Sequence, residues 1–161
     1  MLRNGYGDEE VVGRRNSMQA RNVVGEGDLR YTARDDWAQV PPGWRMGEAA
    51  GVAVDAEDRV YVLNRGEHPV MVFSPDGAFL LSWGEELFVR PHGISIAADG
   101  LVYCTDDAPH VVHVLTQEGD LVRTLGVPGQ CCDTGIVDDY RTIQRSGPPF
   151  NLPTNVAFTP S

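Results

Sequence analysis

From residue 47 onward the chain is built of short apolar runs set between polar, glycine-bearing turns. Residues 51–84, GVAVDAEDRVYVLNRGEHPVMVFSPDGAFLLSWG, predict strands at 51–54, 59–63, 70–73 and 79–83, with turns at 55–58 and 74–77. Runs of four or five residues rich in Val, Tyr and Phe are too short for helices and match strands. SPDG, with Pro early and Gly last, suits a tight hairpin turn. Residues 93–126, GISIAADGLVYCTDDAPHVVHVLTQEGDLVRTLG, repeat the pattern without a gap and predict strands at 93–96, 101–105, 111–115 and 121–125. Val52 falls on Ile94, Tyr61 on Tyr103, His68 on His110, Gly77 on Gly119 and Gly84 on Gly126, always 42 residues apart.

A period in the forties with four short strands per unit is the pattern of radial blades, so an all-β propeller is expected. The blades fall at 47–85 and 86–127, and FNLPTNVAFTPS restarts the register, with 155–159 as the first strand of a third blade over 150–161. Pro91-His92-Gly93-Ile94 matches Pro153-Thr154-Asn155-Val156, an offset of 62, so 20 residues are inserted. This loop, 127–149, is polar and rich in Gly and Pro, and its attachment before a first strand places it to cover a channel mouth. Closed propellers need four to eight blades, so the 161 residues read as part of a longer protein. A bare packing face on the second blade and an unpaired third-blade strand are then expected, with aggregation or partial disorder as the consequence.

Ahead of the repeats, residues 1–28 have no sustained apolar period and read as a flexible leader. Residues 29–46 carry a weak strand pattern at 29–33 and then Trp37, Val40 and Trp44 around a Pro41-Pro42-Gly43 turn. They suit an N-terminal strand that latches a ring, or an apron packed under the first blade.

A net charge of −10 disfavours nucleic acid, since phosphate binding relies on a cationic surface. No apolar stretch approaches a membrane span and no secretory signal is visible, which points to the cytoplasm. The three cysteines, Cys104, Cys131 and Cys132, are an odd count with an adjacent pair, a poor disulfide framework, and read as reduced thiols. Zinc would want more ligands than Cys131 and Cys132 supply.

Equivalence between blades separates scaffold from candidate chemistry. His68 and His110 occupy one repeat position and read as structural, and His113, opposite Met71, reads as packing or surface. His92 stands where the other repeats have Ala50 and Thr154, so the scaffold does not demand it, and it precedes an innermost strand that borders the channel. Arg65 stands where the second blade has Asp107; it either offers a forked guanidinium to an anion or pairs with Glu67 or Asp107.

The repeats resemble NHL repeats. The run GVAVD, NRGEH, FVRPHGISI and FNLPTNVAFTP, over about residues 47–160, resembles the peptidyl-α-hydroxyglycine α-amidating lyases, a family of six-bladed propellers. The resemblance implies a zinc lyase that splits a peptidyl-α-hydroxyglycine, a small-molecule or peptide substrate, into an amide and glyoxylate, with a calcium in the channel. It implies that His92 is one of three zinc histidines from alternate blades, which together leave the fourth position open as catalytic zinc requires. Arg65 would hold the substrate and lower the pKa of its hydroxyl. The main-chain carbonyls of Val52 and Ile94 would bind calcium. The other zinc histidines, the acidic calcium ligand and a catalytic tyrosine find no match here, so the chain alone is expected to be inactive. The competing expectation is a non-catalytic NHL propeller that binds a protein or small ligand. A gluconolactonase-type calcium hydrolase fits less well, because its channel acids and amides find no match.

Overall fold

The computed structural model describes residues 23–136 and 139–159, so most of the leader expected over 1–28 lies outside the described residues. Strand β1 (Val23–Glu26) pairs antiparallel with β2 (Leu29–Thr32), Val24 opposite Tyr31, as a hairpin that is a unit by itself. The leader boundary at residue 28 therefore falls inside a turn. Gly27, at a φ of 59°, supplies the left-handed residue of a two-residue hairpin loop between two short β-prone runs.

The repeats fold as two four-stranded antiparallel sheets. Strands β3 (Ala49–Val54), β4 (Val60–Asn64), β5 (Val70–Phe73) and β6 (Phe79–Trp83) pair in sequence order as blade one. Strands β7 (Pro91–Ile96), β8 (Val102–Asp106), β9 (Val111–Leu115) and β10 (Leu121–Leu125) do the same as blade two. The first strand of each blade begins two residues earlier than expected because of a bulge. Pairing shifts between Ala49 and Gly51, and again between Pro91 and Gly93, so Ala50 and His92 are the extra residues of equivalent bulges.

Strand alternation gives each blade two apolar faces. Tyr61, Leu63, Val70, Val72 and Trp83 of blade one bury against Ile94, Val102, Cys104 and Leu115 of blade two. The other face of blade one, Val62, Met71 and Phe73, is covered by Trp37, Val40, Trp44 and Met46. Trp37 reproduces a contact between the blades. Its Nε1 donates to the Pro75 carbonyl at 3.1 Å, as Trp83 Nε1 donates to the Gln117 carbonyl at 3.2 Å, and Pro75 and Gln117 are equivalent repeat positions. Residues 37–46 thus occupy the place a preceding blade would take on blade one.

The strand expected at 155–159 does not form: residues 153–159 carry no strand assignment. First strands of neighbouring blades pack face to face, and their ladder partner is the second strand of their own blade; among the described residues none follows. The segment still repeats the register. Phe158 lies edge-on to Tyr103 with centroids 5.1 Å apart, where the equivalent Ile96 packs on the core that holds Tyr61. The blade-two face expected to be bare is likewise covered, with Val112 and Val114 only 2% and 0% exposed. No helix among the described residues is long and apolar enough to cross a membrane.

Candidate functional site

Antiparallel order places the starts of β3 and β7, the β4–β5 and β8–β9 turns and the end of β10 at one end of the blades. Arg65 and His92 meet there. Pro91 opens β7, where its missing N–H costs no ladder bond, and the bulge then re-aims the next side chain. The half-buried His92 ring directs Nδ1 to the Thr154 carbonyl at 3.2 Å. A carbonyl only accepts, so Nδ1 carries the proton; in the neutral ring this leaves the lone pair on Nε2, the arrangement that metal-binding imidazoles use.

Arg65 follows β4 in a turn tightened by Gly66. Its Nε donates to the Pro91 carbonyl at 3.2 Å, on the residue directly before His92, and its Nη1 lies 3.2 Å from Glu48 Oε2. Neither Glu67 nor Asp107 is its partner. Asp107 instead pairs with Arg90 at 2.5 Å, and Glu48 and Arg90 are equivalent positions, so the two blades carry the same ion pair with its signs reversed. The pair is a scaffold element. What distinguishes Arg65 is its second bond, across to the peptide beside His92.

Val52 and Ile94 lie at the middle of the inner strands β3 and β7, opposite Val62 and Cys104. The glycine before each lets neighbouring inner segments close in. A Cβ on Gly51 would lie 3.2 Å from Ile94 N, and one on Gly93 would lie 2.4 Å from the Thr154 carbonyl oxygen. The Val52 side chain is 58% exposed, whereas Ile94 is buried between the blades. Among the described residues no three His, Cys, Asp or Glu side chains converge on one point.

The other histidines serve packing. His68 stacks on Trp44 with centroids 3.3 Å apart and bonds Glu85 Oε1 at 3.1 Å, while His110 Nδ1 accepts from Leu152 N at 3.1 Å. His113 is 6% exposed inside blade two, with Nδ1 3.2 Å from Thr124 Oγ1. The loop at 127–149 closes on itself at this same end. Cys132 Sγ donates to the Gly147 carbonyl at 2.9 Å, Gln144 N donates to the Thr134 carbonyl at 2.9 Å, and Arg145 pairs with Asp133. A helical turn at Tyr140–Thr142 lies within it. Cys104, Cys131 and Cys132 are all free thiols.

Asp106 is a polar centre that sequence reasoning missed. Its oxygens accept from Val89 N and Arg90 N, both at 2.7 Å, in the segment that leads into β7. Burial opposes its ionisation, but the His113 imidazole and these two N–H groups outweigh it and hold the carboxyl below the usual carboxylate range. The signal was present in the 42-residue register: Asp106 is equivalent to Asn64, whose Oδ1 likewise accepts from Gly47 N at 2.9 Å.

No family model matches the chain. NHL repeat-containing protein 3 of Mus musculus is 39% identical over 89 residues, covering 49% of this chain and 25% of the mouse protein. Its Homo sapiens counterpart is 35% identical over 99 residues, covering 55% of this chain and 28% of that protein. Two consecutive four-stranded antiparallel blades and similarity to these relatives support an NHL-type β-propeller. The chain is also similar to the peptidylglycine alpha-amidating monooxygenase of Rattus norvegicus, at 28% identity over 165 aligned positions. That alignment takes in 84% of this chain but only 15% of the rat protein, so the chain spans a small part of these relatives.

Proposed function

We propose that this chain is part of an amidating-lyase-like zinc propeller, which cleaves a peptidyl-α-hydroxyglycine or related α-hydroxy amide to an amide and glyoxylate. The observation that carries this reading is the His92 ring. It stands on a bulge the scaffold fills with Ala50 elsewhere, its Nδ1–H is engaged by Thr154, and Arg65 is bonded to the peptide beside it. Similarity to the amidating monooxygenases over most of the chain supports it.

In this reading His92 Nε2 is one zinc ligand, with further ligands from outside the described residues. Zinc, when bound, supplies a Lewis acid for the substrate oxygen. Arg65 holds the substrate and favours loss of its hydroxyl proton, through a guanidinium that stays charged. The C–N bond then breaks, the carbinol carbon becomes the aldehyde of glyoxylate, and a proton passes to the amide nitrogen, with no net oxidation. The carbonyls of Val52 and Ile94 hold calcium as hard oxygen ligands.

The test is glyoxylate release from an N-acyl-α-hydroxyglycine by the polypeptide that carries this chain, with His92→Ala and Arg65→Lys variants. Loss of a zinc ligand is expected to slow release by on the order of 100-fold or more, about 3 kcal/mol of transition-state stabilisation. Turnover that survives His92→Ala unchanged would sink the reading. A second reading, a non-catalytic NHL binding module, is favoured by the higher identity to NHL repeat-containing protein 3 and by the Arg65–Glu48 pair as a repeated scaffold contact. It predicts no glyoxylate release from parent or variants.

A further inference from the structure

Blade one and blade two solve one structural problem with different chemistry. At the end of the second strand a fully buried polar side chain must hold the segment that enters the first strand. In blade one this is the neutral Asn64: Oδ1 accepts from Gly47 N and Gly66 N at 2.9 and 2.8 Å, and Nδ2 donates to the His68 and Pro69 carbonyls at 2.7 and 3.2 Å. Every polar atom of Asn64 is satisfied, and Met71, which stands opposite Val62 two residues before Asn64, is apolar and buried. In blade two the same position is Asp106, which has no donor, spends both oxygens on Val89 N and Arg90 N, and is fully buried. The position equivalent to Met71 is now His113. Its Nε2 is buried without a hydrogen-bond partner and lies 3.8 Å from Asp106 Oδ2, an electrostatic contact rather than a hydrogen bond. A buried carboxylate without a counter-group is costly, and an imidazole with an orphaned ring nitrogen is equally out of place alone. Each explains the other.

We propose that Asp106 and His113 act as one unit at the two positions that Asn64 and Met71 fill in blade one, and that Asp106 is a positioning residue which sets the entry into β7 and so the placement of His92. That Asp106 contributes to catalysis rests on the lyase reading; the pairing itself does not. The test compares the parent chain with Asp106→Asn, His113→Met and the double variant, which rebuilds the blade-one chemistry in blade two. Urea midpoints are measured together with the His92 ring cross-peak by carbon-proton NMR. Each single variant is expected to lower the midpoint, and the double variant to recover more than half of the summed loss. Asp106→Asn is expected to shift the His92 cross-peak. Additive losses in the double variant, or a His92 cross-peak unmoved by Asp106→Asn, would overturn the proposal. If either single variant does not fold, a folded double variant supports the pairing and an unfolded one refutes it. None of these readouts uses zinc or substrate, so failure of the lyase reading leaves them intact.

Discussion

Gly119 is where the register between the blades can be tested most sharply. It lies in the β9–β10 turn at a φ of 95°, and a Cβ there would stand 2.4 Å from Trp83 Cγ and 2.6 Å from Trp83 Cβ. Gly100, in the β7–β8 turn at a φ of 84°, is the natural control. Its Cβ would meet only the flexible end of Gln117, at 3.4 Å. Alanine at either site incurs the left-handed backbone cost of about 1–2 kcal/mol. At Gly119 it must also displace a buried indole that is 6% exposed and bonded through Nε1 to the Gln117 carbonyl, an overpacking cost of about 1–3 kcal/mol more. Gly100→Ala is therefore expected to cost about 1–2 kcal/mol and Gly119→Ala about 2–5 kcal/mol in urea unfolding followed by far-ultraviolet circular dichroism. In a Trp83→Ala background the excess at Gly119 should shrink, because the indole it strikes is gone and only the Cβ at position 83 remains. Equal costs at the two glycines in the parent chain would refute the packing of blade two on Trp83.

Further expectations follow from the buried polar groups and the thiols. Burial raises the Asp55 pKa, but hydrogen bonds from Arg59 and Tyr61 outweigh it and hold the carboxyl below its ordinary 3.8. Its stabilising contribution is thus full above that value and is lost as pH falls through the lower folded pKa, so Asp55→Asn should flatten the acid limb of a stability-versus-pH curve. An unchanged acid limb would count against the Asp55–Arg59–Tyr61 network. Burial pushes the Cys104 thiol up, and it should resist a thiol reagent in the native state while the exposed Cys131 reacts first. All three cysteines should react in urea; rapid native labelling of Cys104, read by peptide mass, would contradict the blade-to-blade core.

Blade positions were legible because a strand that packs on both faces reads as a short, nearly continuous apolar run, and a repeat doubles the signal. The bounds of β5, β6, β9 and β10 agree with the spacing of Val70, Trp83, Val111 and Leu125. The starts of β3 and β7 were not legible, because a bulge leaves no mark on hydrophobic alternation. His92 was found as an exception to the repeat, yet its ring partner, the Thr154 carbonyl, is a main-chain group that no residue identity reveals. Arg65 stood out in the same way, while its partner Glu48 lies seventeen positions back and follows only from the strand pairing.

Residue chemistry repeated at a fixed interval determined the blades, the inserted loop and the two side chains that the scaffold does not require. Tertiary structure decided what those side chains touch. It made Trp37 the counterpart, on blade one, of Trp83 on blade two, covered a face expected to be bare, and joined Asp106 to His113. The reason is physical: periodicity reports which face of a strand is buried, whereas hydrogen bonds and ion pairs depend on which segments meet, and that is set only when the blades pack.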